Sequence, residues 1–503
     1  MTPRIEKIFL YLFVFVTGAV IIALELTASR ILAPFFGNSI FVWGNIIGVT
    51  LSALAVGYWI GGRLADRRPE FDVLLAIVFF AGVYIASVPL FFRAIVDGIL
   101  LVMGGFTLML VLGSLLAAVI LFGLPLALLG MSSPFIIRLM ARDVATTGNT
   151  AGSVYAFSTV GSIAGAFLST FVSIPFLGSR ETLYLSSFLL LGVASLGLRH
   201  KRKWLVAFAL LPILLWILTA DQPVRAREGL LFEAESPYQF IQVVRADNGD
   251  LQLRTNDGWG VQSVYRPATS ITGRYYDYFG LLPYYLKTQS AVRVLNVGHA
   301  GGSISRIYTQ TVAADYALNV DAVEIDPKVT EAAKKYFNLS SQPITIYNED
   351  GRNFLRRNTS KYDIIIVDAY SQQIYIPFQL ATAEFFDLAR SRLNSQGVVS
   401  INVNASSGSS LLLLSISRTL NEVFPYVYSL HVPQSMNYFI VASGSPIDFA
   451  HTQKPVSNPY LSELSQTLAR GMMKFTAKGG EILTDNRAPV ELMTDMTLFN
   501  VQL

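Results

Sequence analysis

The chain has 503 residues, enough for two or more domains, and a formal charge of +4 from 38 lysines and arginines against 34 acids. Charged residues make up only 14% and mean hydropathy is +0.47, too apolar for an ordinary soluble protein. With no cysteine and only four histidines (His200, His299, His431 and His451) in no metal-binding spacing, disulfides and a cysteine nucleophile are excluded and a metal site is not expected.

The apolar excess lies before Ala220. Runs long enough to cross hydrocarbon appear about seven times: Phe9–Thr27, Phe41–Gly61, Val73–Phe92, Phe106–Gly130, Thr150–Phe176, Leu183–Leu198 and Trp204–Ala220. The first follows Arg4 and Lys7 and contains Glu25, so it is not a cleaved signal peptide. The pattern predicts a multi-pass protein of the cell (inner) membrane, with the lipid bilayer as a partner. Basic residues crowd the loops Arg63–Arg68, Arg138–Arg142 and Arg199–Lys203, which puts the N-terminus inside. That charge reads as orientation charge, and no nucleic-acid partner is expected. A seventh full span would carry everything after Ala220 outside, whereas a nucleotide-type ligand calls for the cytoplasm. Three readings remain: Trp204–Ala220 lies in the interface, Ala94–Gly105 hides another crossing, or the soluble half is external.

Glu25 and Arg30 near the end of the first span read as an ion pair between helices. Gly148, Gly152, Gly161 and Gly165 form two pairs at four-residue offsets, the spacing of closely packed helices. GYWIGGRLADRRPE and GNTAGSVYAFSTVGSIAGAF resemble half of a major-facilitator-type bundle, and half a transporter is not expected to transport alone.

After a linker at Asp221–Gly229 the pattern changes. YQFIQVV, the turn ADNGD and LQLRT read as a β-hairpin with Asn248-Gly249 at its tip, extended by a second pair near Gly260–Tyr265. From Val292, apolar strands (Val292–Val297, Asp321–Glu324, Ile344–Tyr347, Ile364–Val367, Val398–Val403) alternate with helices (Val329–Phe337, Ala381–Leu393). That alternation predicts a doubly wound parallel, Rossmann-like α/β sheet, which binds ligands beyond its strands' carboxyl ends. The expected domains are 1–220 (transmembrane helices), 221–290 (linker and antiparallel β) and 291–503 (Rossmann-like).

The first of these strands runs into VGHAGGS, where Gly298, Gly301 and Gly302 allow a ligand close approach to the backbone. The turn lacks the Gly-Lys-Ser/Thr ending of a P-loop. Acids stand at the next strand ends: Glu324, placed to reach a ribose, then Asp350 ahead of Gly351, and Asp368. One such acid is often only a helix cap. Three in succession after a glycine turn point to an adenosyl ligand or a dinucleotide.

Taken in order, these motifs resemble the spermidine synthase family of aminopropyltransferases, which has the class I S-adenosylmethionine methyltransferase-like fold. SPYQFIQVV matches the family's entry strand, and NDGWGVQS its D-G-x-x-Q element with one extra residue before Gln262. Tyr275, Tyr276 and Asp277 take the place of its Tyr-His-Glu, and VLNVGHAGG, VEIDP, EDGRNFL and VDAY match its glycine turn, ribose acid, adenine-side acid and catalytic strand. LTDNRAPVELM is similar to the ending of membrane-fused relatives, so the resemblance spans roughly Glu235–Met493. It implies transfer of an aminopropyl-type group from S-adenosylmethionine or its decarboxylated form to a small-molecule amine, releasing methylthioadenosine. Asp368 would be the base, assisted by Tyr275. Gln239, Gly298, His299, Gly301, Gly302, Glu324, Asp350 and Gly351 would hold the donor, and Gln262, Tyr276, Asp277, Tyr370 and Ser371 the acceptor. Family members form oligomers, although no interface is legible in this chain. Two departures stand out: Ala300 replaces an acid of the turn, and Ser371 replaces the second acid of an Asp-x-x-Asp pair. Both acids hold cationic amines in the family. The alternatives are an S-adenosylmethionine-dependent methyltransferase and a non-catalytic polyamine or nucleoside sensor coupled to the membrane.

Overall fold

The structure, a computed structural model, describes residues 3–37, 39–103, 109–141, 144–197, 207–256, 260–287, 291–371, 375–476 and 479–499. The basic loop Arg199–Lys203 and Asp257–Trp259 of the D-G-x-x-Q-like element lie outside these residues. The chain divides into two compact units, Met1–Ala226 and Arg227–Leu503, so the antiparallel segment and the parallel sheet share one unit.

In the first unit five helices are long and apolar enough to cross a membrane: α1 (Arg4–Phe36), α2 (Ile40–Arg67), α3 (Phe71–Val102), α4 (Val111–Met140) and α5 (Thr147–Phe176). The last two apolar runs of the sequence form α6 (Ser179–Leu196) and a shorter helix, α7 (Ala207–Thr219). Two of the local widenings into π-helix, Val119–Gly123 in α4 and Ser169–Ser173 in α5, end one residue short of Pro125 and Pro175. A proline cannot donate to the carbonyl four residues back, and a wider turn relieves that missing bond. Gly161 and Gly165 pack on α1: a Cβ there would lie 2.1 Å from the Phe15 carbonyl oxygen and 2.2 Å from that of Ala19. The other pair, Gly148 and Gly152, faces open space.

The second unit begins with a four-stranded antiparallel sheet of β1 (Leu230–Glu235), β2 (Phe240–Arg245), β3 (Leu251–Thr255) and β4 (Ser263–Tyr265), in that order. The turn Asn248-Gly249 joins β2 to β3, with Gly249 at φ 84° as a tight hairpin requires. There follow β5 (Val292–Val297), β6 (Leu318–Val323), α8 (Pro327–Tyr336), β7 (Ile344–Tyr347), α9 (Gly351–Arg357) and β8 (Tyr362–Val367). Then come α10 (Ala383–Ser391), β9 (Leu393–Asn404), α11 (Leu411–Val423), β10 (Tyr426–His431), β11 (Asn437–Ser443), α12 (Pro459–Gly471), β12 (Met473–Lys474) and α13 (Val490–Phe499).

The larger sheet runs β12-β10-β11-β9-β8-β5-β6-β7, parallel from β9 to β7, with β11 antiparallel to β9. This is the class I methyltransferase-like order. Its central strands are largely apolar, with polar positions such as Arg293, Asn296 and Asp321 between the apolar ones, because helices and loops cover both faces. Leu295, Val297, Ile365, Val367 and Ile401 face one core. Val292, Val294, Ile364, Ile366 and Val398 face the other, beside Tyr276, Phe279 and Tyr308. From β5 the chain winds to β6 and β7 on one side and returns to β8 on the other, so the topological switch point falls between β5 and β8. Val297 pairs with Val367 there, which sets the glycine turn after β5 beside Asp368.

Candidate active site

Two adjoining cavities open at this switch point. The first, about 340 Å³, is lined by Gly298, Ala300, Glu324, Asp350, Gly351 and Asp368 among others. The second, about 490 Å³, is lined by Arg274, Tyr275, Tyr278, Asn404 and Asn437 among others. Gln262 and Tyr370 belong to both walls.

Gly298 sits at φ 88°, and a Cβ on it would lie 2.4 Å from the Asp368 carbonyl oxygen; only glycine lets the two strand ends approach so closely. The Asp368 amide donates to the Val297 carbonyl at 2.9 Å, which fixes the acid at the mouth of the sheet. Its carboxylate accepts the Tyr275 hydroxyl at 3.0 and 3.2 Å. Burial pushes the carboxyl up to about 7, against the pull of Tyr275 and of Asn402 from β9. Tyr275 is held well above the ordinary phenol range by burial and by the Asp368 charge, so it remains a donor. A carboxylate that titrates near neutrality beside a fixed phenol suits a general base.

Glu324 lies just past β6. Its carboxylate accepts the Ala300 amide at 2.8 Å and the Asp326 amide at 3.0 Å, tying the glycine turn to the next strand end. Burial raises it to about 7, with those backbone donors resisting. Asp350 caps α9 by accepting the Asn353 amide at 2.9 Å, and it also lines the first cavity; cap and ligand roles coexist in one side chain. Gln239 lines the same cavity and donates to Asp326 at 3.3 Å, while Asp326 caps α8 and accepts Ser236 at 2.6 Å. This joins the antiparallel sheet to the ribose side of the cleft.

Several residues singled out in the sequence do not line either cavity. His299 is buried, its ring nitrogens have no hydrogen-bond partner, and burial holds it down at about 4, so the imidazole is neutral. It packs beneath the turn, where a Cβ on Gly302 would lie 2.9 Å from its Cε1. The Gly301 amide donates to Ser263 at 2.8 Å, and a Cβ there would strike Ser263 and Phe337. Gly301 and Gly302 therefore serve the packing of the turn. Tyr276 is buried and donates to the Val261 carbonyl at 2.6 Å. Asp277 is fully buried and accepts from Thr272 and from the Gly273 amide, closing its own turn.

Tyr370 donates to the Asn402 carbonyl at 2.8 Å, and Ser371 to the Tyr375 carbonyl at 3.3 Å. Ala300 keeps φ 49°, a left-handed backbone that holds its amide on Glu324. Sequence reading missed Pro377, Phe378, Leu380 and Glu491, which close one end of the first cavity, and Asn402 beside Asp368. Asn402 left a signal, a polar residue within the apolar strand VVSINV. The others arrive by long returns of the chain that no local pattern records. Among the described residues no cluster of acids and histidines could hold a metal.

Residues 287–447 match the family model for the spermine/spermidine synthase domain. The matched stretch takes in β5 to β11 and the strand-end acids Glu324, Asp350 and Asp368. It is 33% identical over 286 residues to a probable polyamine aminopropyl transferase of Bifidobacterium longum, covering 53% of this chain and 62% of that protein. It is 25% identical over 482 residues to polyamine aminopropyltransferase 2 of Ralstonia nicotianae, covering 88% of each, a stretch too long to leave out the helical unit. Among solved structures, a probable spermidine synthase from Corynebacterium glutamicum is similar at 16% identity and a TM-score of 0.40, covering 52% of this chain and 97% of that one.

Proposed function

We propose that this protein is a membrane-bound aminopropyltransferase that moves an aminopropyl-type group from a sulfonium nucleoside to an amine. The observation that carries the reading is the Tyr275–Asp368 pair standing where two cavities meet. Glu324 and Asp350 suit the first cavity to an adenosine, Glu324 to the ribose hydroxyls and Asp350 to the base. The second cavity holds the acceptor. A primary amine reaches it as an ammonium. Asp368 takes its proton, and the freed lone pair attacks the methylene bonded to sulfur. The C–N bond forms as the C–S bond breaks, its electron pair stays on sulfur, and neutral methylthioadenosine leaves. The sulfonium needs no further activation, so alignment of the two reactants does most of the catalysis.

S-Adenosylmethionine and its decarboxylated form both fit this scheme. Incubation of the full chain with each donor and a set of amines is expected to release methylthioadenosine. Release of S-adenosylhomocysteine would instead mark a methyltransferase, and nucleoside binding without product would mark a sensor.

We further place the synthase domain in the cytoplasm. The thirteen residues of α7 reach about 20 Å, short of the roughly 30 Å of hydrocarbon. The eighteen residues of α6, although α6 is not one of the five long apolar helices, fall within the roughly 17 to 25 residues of a span, and counting α6 with α1–α5 gives an even number of crossings. Accessibility labelling of a cysteine introduced between residues 221 and 229 tests this; labelling from outside intact cells would refute it.

A further inference from the structure

The second cavity has an unusual charge balance for a site that receives a cation. Tyrosines, asparagines and glutamines make up most of its polar wall, and among the described residues lining it Arg274 alone carries a charge. Arg274 is exposed at the wall. The carboxylates that come near are committed elsewhere. Asp250 is bridged by Arg266 at 2.8 Å. Asp277 is buried, and backbone amides and Thr272 occupy its oxygens. Glu463 stands out in solvent beyond Tyr460.

A diamine enters such a cavity as a dication. One ammonium can surrender its proton to Asp368. The other finds no carboxylate among the described residues lining the wall and has Arg274 as its charged neighbour there. Tyrosine faces attract a cation only weakly, and an unpaired charge taken out of water is unfavourable. A molecule with an amine at one end and an anion at the other meets the opposite situation, because a guanidinium fork matches a carboxylate or a phosphate.

We propose that the acceptor is a primary amine that also carries an anionic group, a carboxylate or phosphate bound by Arg274, in place of a second ammonium. This rests on the aminopropyl-transfer reading and leaves its chemistry unchanged: the amine forms the C–N bond, sulfur keeps the electrons of the broken C–S bond, and Asp368 receives the proton. The anion can belong to a soluble amino acid or to a lipid headgroup, and the test separates these sources.

The experiment uses the full chain in detergent with decarboxylated S-adenosylmethionine, following methylthioadenosine release. The acceptors are 1,4-diaminobutane, 4-aminobutanoate, phosphoethanolamine and vesicles of phosphatidylethanolamine. At least one anionic amine is expected to surpass 1,4-diaminobutane tenfold or more in kcat/KM; turnover of the vesicles alone identifies a lipid source, and turnover of a free amine a soluble one. Arg274→Gln is expected to raise KM for that acceptor tenfold or more with little change in kcat, and Arg274→Glu to shift preference toward the diamine. Unchanged methylthioadenosine binding in both variants shows that the fold and the first cavity survive. If 1,4-diaminobutane is the better acceptor, or Arg274→Gln leaves the ratio between acceptors unaltered, the inference fails while aminopropyl transfer stands. If no amine yields methylthioadenosine although the nucleoside binds, the transfer reading fails and takes this inference with it.

Discussion

Replacing Asp368 by asparagine is expected to abolish turnover and stabilise the protein at the same time. The side chain is held up to about 7 by burial, while an unfolded chain titrates it near 3.9. A raised carboxyl favours folding below the unfolded value, and that contribution is lost as pH climbs through about 7. Three pH units at about 1.4 kcal/mol each give roughly 4 kcal/mol as a ceiling. Asp368 is partly open to the cavity, so water there screens the ionised form and about 2 kcal/mol is the better figure. The amide oxygen of asparagine still accepts from Tyr275, so little else changes. At pH 8 Asp368→Asn is therefore expected to unfold a few degrees higher than the parent, and at pH 5 the gain should shrink toward zero. The parent's kcat/KM should rise with pH through about 7 as the base ionises, while the variant loses about 100- to 10,000-fold and with it that limb. Thermal unfolding of the full chain at the two pH values, beside methylthioadenosine release, reads both effects. A variant equally stabilised at pH 5 and pH 8, or one within tenfold of parent activity, would refute the argument.

Tyr275→Phe removes a hydrogen bond that favours the Asp368 carboxylate. Its pH–rate profile should show the acid limb displaced above 7, with about a tenfold loss at neutral pH. Gly298→Ala forces a Cβ into the Asp368 carbonyl at φ 88°, so denaturant titration should report a loss above about 2 kcal/mol and no turnover. Arg352 holds Asp485 with two bonds of 2.6 and 2.7 Å from a largely buried position. Arg352→Ala should cost about 1 to 2 kcal/mol in the same titration, because the Asp485 carboxylate left behind is 39% exposed and water can solvate it. That pair draws Asp485 below the usual carboxylate range, so its contribution is present at neutral pH and fades as pH falls through that lowered value.

The parallel sheet was legible because its strands are buried on both faces and read as apolar runs; the bounds of β5 and β7 agree with the sequence reading. β6 begins earlier, at Leu318, and β9 at Leu393, since Asn319 and Asn394 interrupt the apolar pattern without interrupting the strand. β1 was missed beside the linker because its apolar face is only three residues long, Leu230, Phe232 and Ala234, with Glu233 and Glu235 between and after them. The strand-end acids were readable, being the point where an apolar run meets a carboxylate. The turn residues were not. Side-chain direction after Gly298 depends on φ at Gly298, Ala300 and Gly302, and a sequence of small residues does not encode which one looks into the cleft. Asp277 looked like a ligand acid, but its turn folds back and encloses it.

Gln262 and Tyr370 form a party wall between donor and acceptor rooms. Whatever moves one of these side chains on one side also moves it for the other, so any change that the first ligand makes in the affinity for the second is returned by an equal factor.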